Sequence, residues 1–234
     1  MLRPASGLLT LALCCALISC GGGGPTPIQY AEPDPAGLTS QVSGTLTDPS
    51  TGTATIVAQA KPTPGTPSTY VTLSSAPVGA DGTFTLSLPD AAAVAPYLTT
   101  YPQTPPAGCT GSIMQTVKTA RHFTLSTYGL VRADGSLAGI AGQTRPLTGA
   151  TESGNYLIVR IYADQPVTVS GDFLCPDHQL HVGMNLKRGW NAVRQNVEVT
   201  SDGKVNTTYL YTTNPLPYAE FVTLGVSDDQ LIAP

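Results

Sequence analysis

Positions 83–88 read Thr-Phe-Thr-Leu-Ser-Leu, hydroxyl and apolar side chains in strict alternation. A repeat of two residues places Phe84, Leu86 and Leu88 on one face of a strand and the hydroxyls on the other. Similar β-type segments fill the rest of the chain. Strands are predicted over 41–47, 53–60, 69–74, 121–132, 136–143, 155–163, 167–173, 179–186, 190–200, 204–212 and 220–226. Turn chemistry separates them: Ala80-Asp81-Gly82, Ala133-Asp134-Gly135 and Ser201-Asp202-Gly203 each offer a side chain that bonds its own backbone and a residue that accepts positive φ. Lys187-Arg188-Gly189 is a further compact turn. Such Asp-Gly pairs, one per hairpin, read as turn formers in preference to calcium ligands.

Helical signal is slight. Asp90 is placed to cap the run Ala91-Ala92-Ala93-Val94, and Pro96 limits how far that run can continue, which predicts a connector of one or two turns. Residues 112–120 suit helix or strand equally. The expected fold is therefore all-β, an antiparallel β-sandwich or barrel-like meander of two packed β modules with a short helical connector. The Pro- and Gly-rich stretch 101–111 suggests a small β-sandwich module over 41–107 and an antiparallel β meander domain over 108–234.

Composition narrows the function classes. Charged residues make up 11% of the 234 positions, less than half the usual share of about 25%. Lys and Arg number 11 against 15 Asp and Glu and are scattered, so no footprint for a phosphate backbone exists and nucleic acid is excluded as a partner.

The first twenty residues set the compartment. Met1-Leu2-Arg3 is a short basic start, and positions 8–19 are largely apolar but too few for the roughly 20 residues a membrane span needs. Residues 1–19 are thus expected to be a signal peptide. Its end, Leu17-Ile18-Ser19-Cys20, resembles the bacterial lipobox, in which a small residue precedes the cysteine that is lipidated and becomes the new N-terminus. The resemblance implies lipidation at Cys20, with palmitate among the acyl chains. Residues 20–40 then form the lipidated N-terminus and a flexible tether rich in Gly, Pro and Ala. The implied location is exported and anchored by lipid to a membrane of the bacterial cell envelope.

Of five cysteines, Cys14 and Cys15 leave with the signal and Cys20 is modified, so the body keeps Cys109 and Cys175. In an oxidising compartment an isolated pair is most simply a disulfide. Thiol metal ligands or a redox couple are the alternatives, although the two do not form a Cys-x-x-Cys motif.

Val42-Ser43-Gly44-Thr45-Leu46, followed by Gly79-Ala80-Asp81-Gly82-Thr83-Phe84-Thr85-Leu86, resembles the carboxypeptidase regulatory-like, transthyretin-like sandwiches of bacterial surface proteins. The likeness spans 42–89, implies a non-catalytic β-sandwich and carries no site residues.

No Gly-x-Ser-x-Gly elbow, His-Glu-x-x-His helix, phosphate loop, dinucleotide glycine fingerprint or EF-hand loop occurs. The candidate metal ligands are His122, His178 and His181, all the histidines of the chain. Imidazole suits copper or zinc, and an exported β-sandwich with a disulfide and several histidines is similar in architecture to copper-dependent superoxide dismutases. The likeness implies copper as cofactor, with Asp177 as orienter. That family uses a His-x-His pair plus two more histidines, whereas here the pair is His178-Gln179-Leu180-His181 and no fourth exists. Strand parity puts His181 on a polar face, and His122 shares parity with Thr124 and Ser126, so the two can meet across neighbouring strands, the alternative being exposed and unrelated histidines. His178 can join them only from a loop.

Ten Tyr and one Trp offer another use. Tyr209 and Tyr211 share a strand face, as do Tyr156 and Tyr162, and aromatics can stack on glycan or pack in a core. Two functional readings follow. One is a lipid-anchored, non-catalytic binding or structural module for other envelope components such as a porin, surface-layer protein or wall polymer. The other is a copper redox enzyme of superoxide dismutase type at His122, His178 and His181.

Overall fold

The computed structural model describes residues 40–46, 52–61, 70–144, 155–199, 205–212 and 220–224. Cys20, the signal peptide and the tether lie outside the described residues. The strands are β1 (Gln41–Thr45), β2 (Thr53–Ala60), β3 (Val71–Pro77), β4 (Thr83–Ser87), β5 (Thr110–Gln115), β6 (His122–Leu125) and β7 (Tyr128–Arg132). They continue as β8 (Leu137–Thr144), β9 (Asn155–Ala163), β10 (Val167–Leu174), β11 (Gln179–Leu186), β12 (Gly189–Val199), β13 (Val205–Thr212) and β14 (Glu220–Leu224). The expected connector is present as α1 (Ala91–Val94), which runs into a 3-10 turn over Ala95–Tyr97. Its cap is the predicted one: Asp90 Oδ1 accepts the Ala93 N–H at 2.9 Å.

The fold is all-β and sandwich-like. Strands β1 and β4 form a two-stranded sheet, and the others join one sheet in the order β3-β2-β7-β8-β9-β12-β13-β11-β10-β5, with β14 on β8 and β6 on β9. Among the described residues the ladders are antiparallel except between β11 and β13, which run parallel, and the isolated bridge Leu46–Phe221 is parallel as well. The expected meander is therefore corrected at several points: β5 pairs β10, β6 pairs β9, β14 pairs β8, β9 lies beside β12 instead of β10, and β13 stands between β11 and β12. The expected strand 121–132 is also two strands. Leu125 ends β6 opposite Arg160, and after Ser126 and Thr127 the chain resumes as β7 with Tyr128 opposite Ala141 of β8. Strands β2 and β7, on either side of the expected 107/108 boundary, are hydrogen-bonded neighbours.

Among the described residues two large apolar clusters, and a small third of Ile158 and Ala192, fill the interior. One gathers Val42, Ile56, Phe84, Leu86, Leu125, Tyr128, Leu130, Tyr162, Trp190 and Phe221; the other gathers Ile113, Val159, Ile161, Val169, Val182, Met184, Val193 and Leu210. Strand β9 contributes Tyr162 to the first and Val159 and Ile161 to the second, so residues 158–163 are all buried. Together with β12, whose Trp190 and Val193 divide in the same way, it forms a wall between two interiors. That explains its near-continuous apolar sequence, which contrasts with the alternating burial of β4 and β10.

Local chemistry fits the turns. Asp81 Oδ1 accepts from the Thr83 N–H at 3.1 Å and hydroxyl at 2.7 Å, and Asp134 Oδ1 does the same for Ser136 at 2.9 and 2.6 Å. These bonds hold both carboxyls below their ordinary pKa. The link from β11 to β12 is braced by buried Asn191. Its Oδ1 accepts the Lys187 N–H at 2.9 Å, and its Nδ2 donates to the carbonyls of Lys187 and Gly189 at 2.8 and 2.9 Å.

Candidate functional site

Cys109 and Cys175 are joined as a disulfide with their Cα atoms 4.2 Å apart. The bond extends the β5–β10 ladder by one position beyond the pair Thr110 and Leu174. Among the described residues β10 is the one neighbour of β5 in the sheet, and the disulfide fastens the two. Close backbone approach acts at the same seam: a Cβ on Gly171 would lie 2.1 Å from the Ser112 carbonyl oxygen, and one on Gly111 would lie 2.3 Å from that of Asp172. Both glycines have positive φ.

The histidines are dispersed. His178 sits in the exposed loop before β11, with Nδ1 2.8 Å from Asp177 Oδ1. That bond lowers the Asp177 pKa. His181 lies on the outward face of β11, where Nδ1 bonds Asp172 Oδ1 of the adjoining strand. His122 departs from its expected polar setting. Its ring stacks on Tyr101 with centroids 3.6 Å apart and planes 8° from parallel, and its Nδ1 is buried without a hydrogen-bond partner. Burial pushes its pKa down to about 4, against smaller upward effects from the Thr99 backbone and the Asp164 carboxylate.

His122 and His181 do not meet. His122 lines a recess of about 160 Å³ together with Tyr101, Pro102, Ile113, Leu180, Val182 and Leu210. Leu180 and Val182 flank His181 in sequence, so a regular strand sends the His181 side chain to the other side of β11. The ladder agrees, since β6 pairs β9 and not β11. Among the described residues no group of three or more His, Cys, Asp or Glu is arranged to hold a metal ion.

A broader feature is the outward face of β5, β10, β11 and β13. Register aligns Met114, Ser170, Gly183 and Tyr211 in one row and Ser112, Asp172 and His181 in the next. Met114 is 64% exposed. A Cβ on Gly183 would lie 3.0 Å from Tyr211 Cδ1 and 3.1 Å from Cε1, so one edge of the tyrosine ring occupies the space that a side chain at 183 would fill. Hydroxyls, a carboxylate, an imidazole and an aromatic ring thus share one open surface. Tyr209 continues the second row in backbone register, but its side chain, like that of Tyr156, lies outside the described residues. Tyr162 belongs to the core.

Arg160, Gln143 and Asn191 were not singled out by motif, yet all three are buried polar residues. The available signal for Arg160 was a lone arginine inside the apolar run Ile158-Val159-Arg160-Ile161. Compared with known proteins, the chain matches no family model, no curated protein and no solved structure.

Proposed function

We propose that this protein is a lipid-anchored, non-catalytic binding module of the bacterial cell envelope, exported by residues 1–19 and acylated at Cys20. Its partner of choice among envelope components is a wall polymer. The observation that carries the reading is the open face of β5, β10, β11 and β13, where the Tyr211 ring packs against Gly183 in the row that holds Ser170, beside Asp172 and Ser112 of the next. Sugar rings stack on aromatic faces, and their hydroxyls pair with carboxylates and hydroxyls arranged on a rigid sheet. A sequence without catalytic motifs fits the same role. No observation brings copper to the three histidines, and the redox reading gains no support.

The test uses the full chain expressed in a bacterium with lipoprotein processing. Labelled palmitate should enter the wild type and not Cys20→Ala. The detergent-solubilised protein should sediment with purified wall polymer, with binding reduced at least fivefold in Tyr211→Ala. Palmitate labelling of Cys20→Ala equal to wild type would overturn the anchor, and equal sedimentation of wild type and Tyr211→Ala would overturn the binding face.

A further inference from the structure

Where β6 gives way to β7, the ladder along β9 is broken. Leu125 pairs with Arg160 at one side of the break and Thr144 of β8 pairs with Leu157 at the other, leaving Ile158 and Val159 paired only with β12. Polar side chains without partners collect around this break. Arg160 is 3% exposed, and its Nε and Nη1 are buried with no hydrogen-bond partner. Tyr128, the first residue of β7, is 0% exposed and its hydroxyl is likewise unpartnered. Gln143, two residues from Ala141 on the same face of β8 and opposite Phe221, adds an unpartnered Oε1.

Such an arrangement is costly as it stands. A guanidinium does not shed its proton in a protein, and a buried charge without a counter-charge is among the least favourable things a core can contain. Among the described residues no carboxylate pairs with Arg160. We propose that the break in the sheet is an anion site, in which the Arg160 Nε–H and Nη1–H and the Tyr128 hydroxyl donate to a small planar anion of the carboxylate class. A planar anion suits the guanidinium fork, which offers parallel N–H donors. Burial pushes the Tyr128 pKa up, which keeps the hydroxyl a donor. The Gln143 amide, turned end for end, offers a further donor from the β8 side.

The experiment is thermal unfolding of the full chain as acetate replaces a bulky organic sulfonate at constant ionic strength. A ligand that binds only the folded state raises Tm, and at a hundredfold excess over Kd the expected rise is roughly 5 °C. Arg160→Met should abolish the rise, and Tyr128→Phe, which removes one hydroxyl, should require several-fold more acetate for the same shift. The same rise in Arg160→Met as in wild type would show a general solvent effect and overturn the site. No rise in wild type would overturn it too, and would point to an acidic side chain of the chain itself as the counter-charge. Should Arg160→Met fail to fold, the comparison of wild type with Tyr128→Phe decides, and identical acetate dependence overturns the proposal.

Discussion

The indole N–H of Trp190 donates to the carbonyl oxygen of Pro89 at 2.7 Å. This ties the start of β12 to the residue before the Asp90 cap, across 101 residues of sequence. Tyr162 and Phe123 pack edge-on against the same ring, with centroids 5.5 and 6.1 Å away. Trp190→Phe keeps an aromatic ring but leaves the Pro89 carbonyl without its donor. The expected loss is about 2 kcal/mol of unfolding free energy, measured by denaturant titration. Trp190 is the only tryptophan, so wild-type emission should be blue-shifted and move to the red in the same transition that circular dichroism reports.

The disulfide closes a loop with a sequence separation of 66. In the chain-entropy account such a loop is worth about 4 kcal/mol. The double variant Cys109→Ser, Cys175→Ser should lose stability of that order. Hydrogen exchange should show β5, which among the described residues is paired only with β10, opening first. Equal protection of β5 in both proteins would contradict this.

His122 gives a pH dependence with a definite sign. Its folded pKa, about 4, lies below the ordinary 6.5, so the unfolded chain binds the proton more readily. Its contribution to stability is complete above pH 6.5 and is lost as pH falls toward 4. At 1.36 kcal/mol per pH unit the full effect is about 3 kcal/mol. His122→Phe retains a ring to stack on Tyr101 and removes the titration. Its stability should therefore fall less than that of wild type between pH 6.5 and 4, and parallel curves would refute the assignment.

Asn191 satisfies backbone groups on both sides of the bend between β11 and β12 and also donates to the Ile161 carbonyl at 3.3 Å. Asn191→Leu would leave those groups buried and unpaired. A loss of about 3 kcal/mol is expected in denaturant unfolding. Asn191→Asp keeps the acceptor for Lys187 and loses the donor, and its acid form should recover part of the stability at low pH.

Local patterns were legible because they report on neighbours a few residues away. The alternation of 83–88, the Asp90 cap and the Asp81 and Asp134 turns all depend on such neighbours, and all appear as read. The strands 53–60, 155–163 and 179–186 match residue for residue. Pairing between distant strands left no such mark: nothing local distinguishes β13 as the strand inserted between β11 and β12. Parity misled at His122 because it sorts inside from outside only when one face meets water. The segment carrying Tyr101 covers the face of β6 that Thr124 and His122 share in the alternation. Arg160 escaped notice for a related reason, since its strand has no outer face on which an arginine would be ordinary.

A strand with two interiors has no tolerant side. In a saturation mutagenesis map, β4 and β10 should show the striped profile of half-buried strands, with every second position accepting polar residues. Residues 158–163 of β9 should instead form an unbroken intolerant block. Damage there would propagate to both clusters together, so the segment that looks least like a functional motif would set the rate at which the rest of the sequence can diverge.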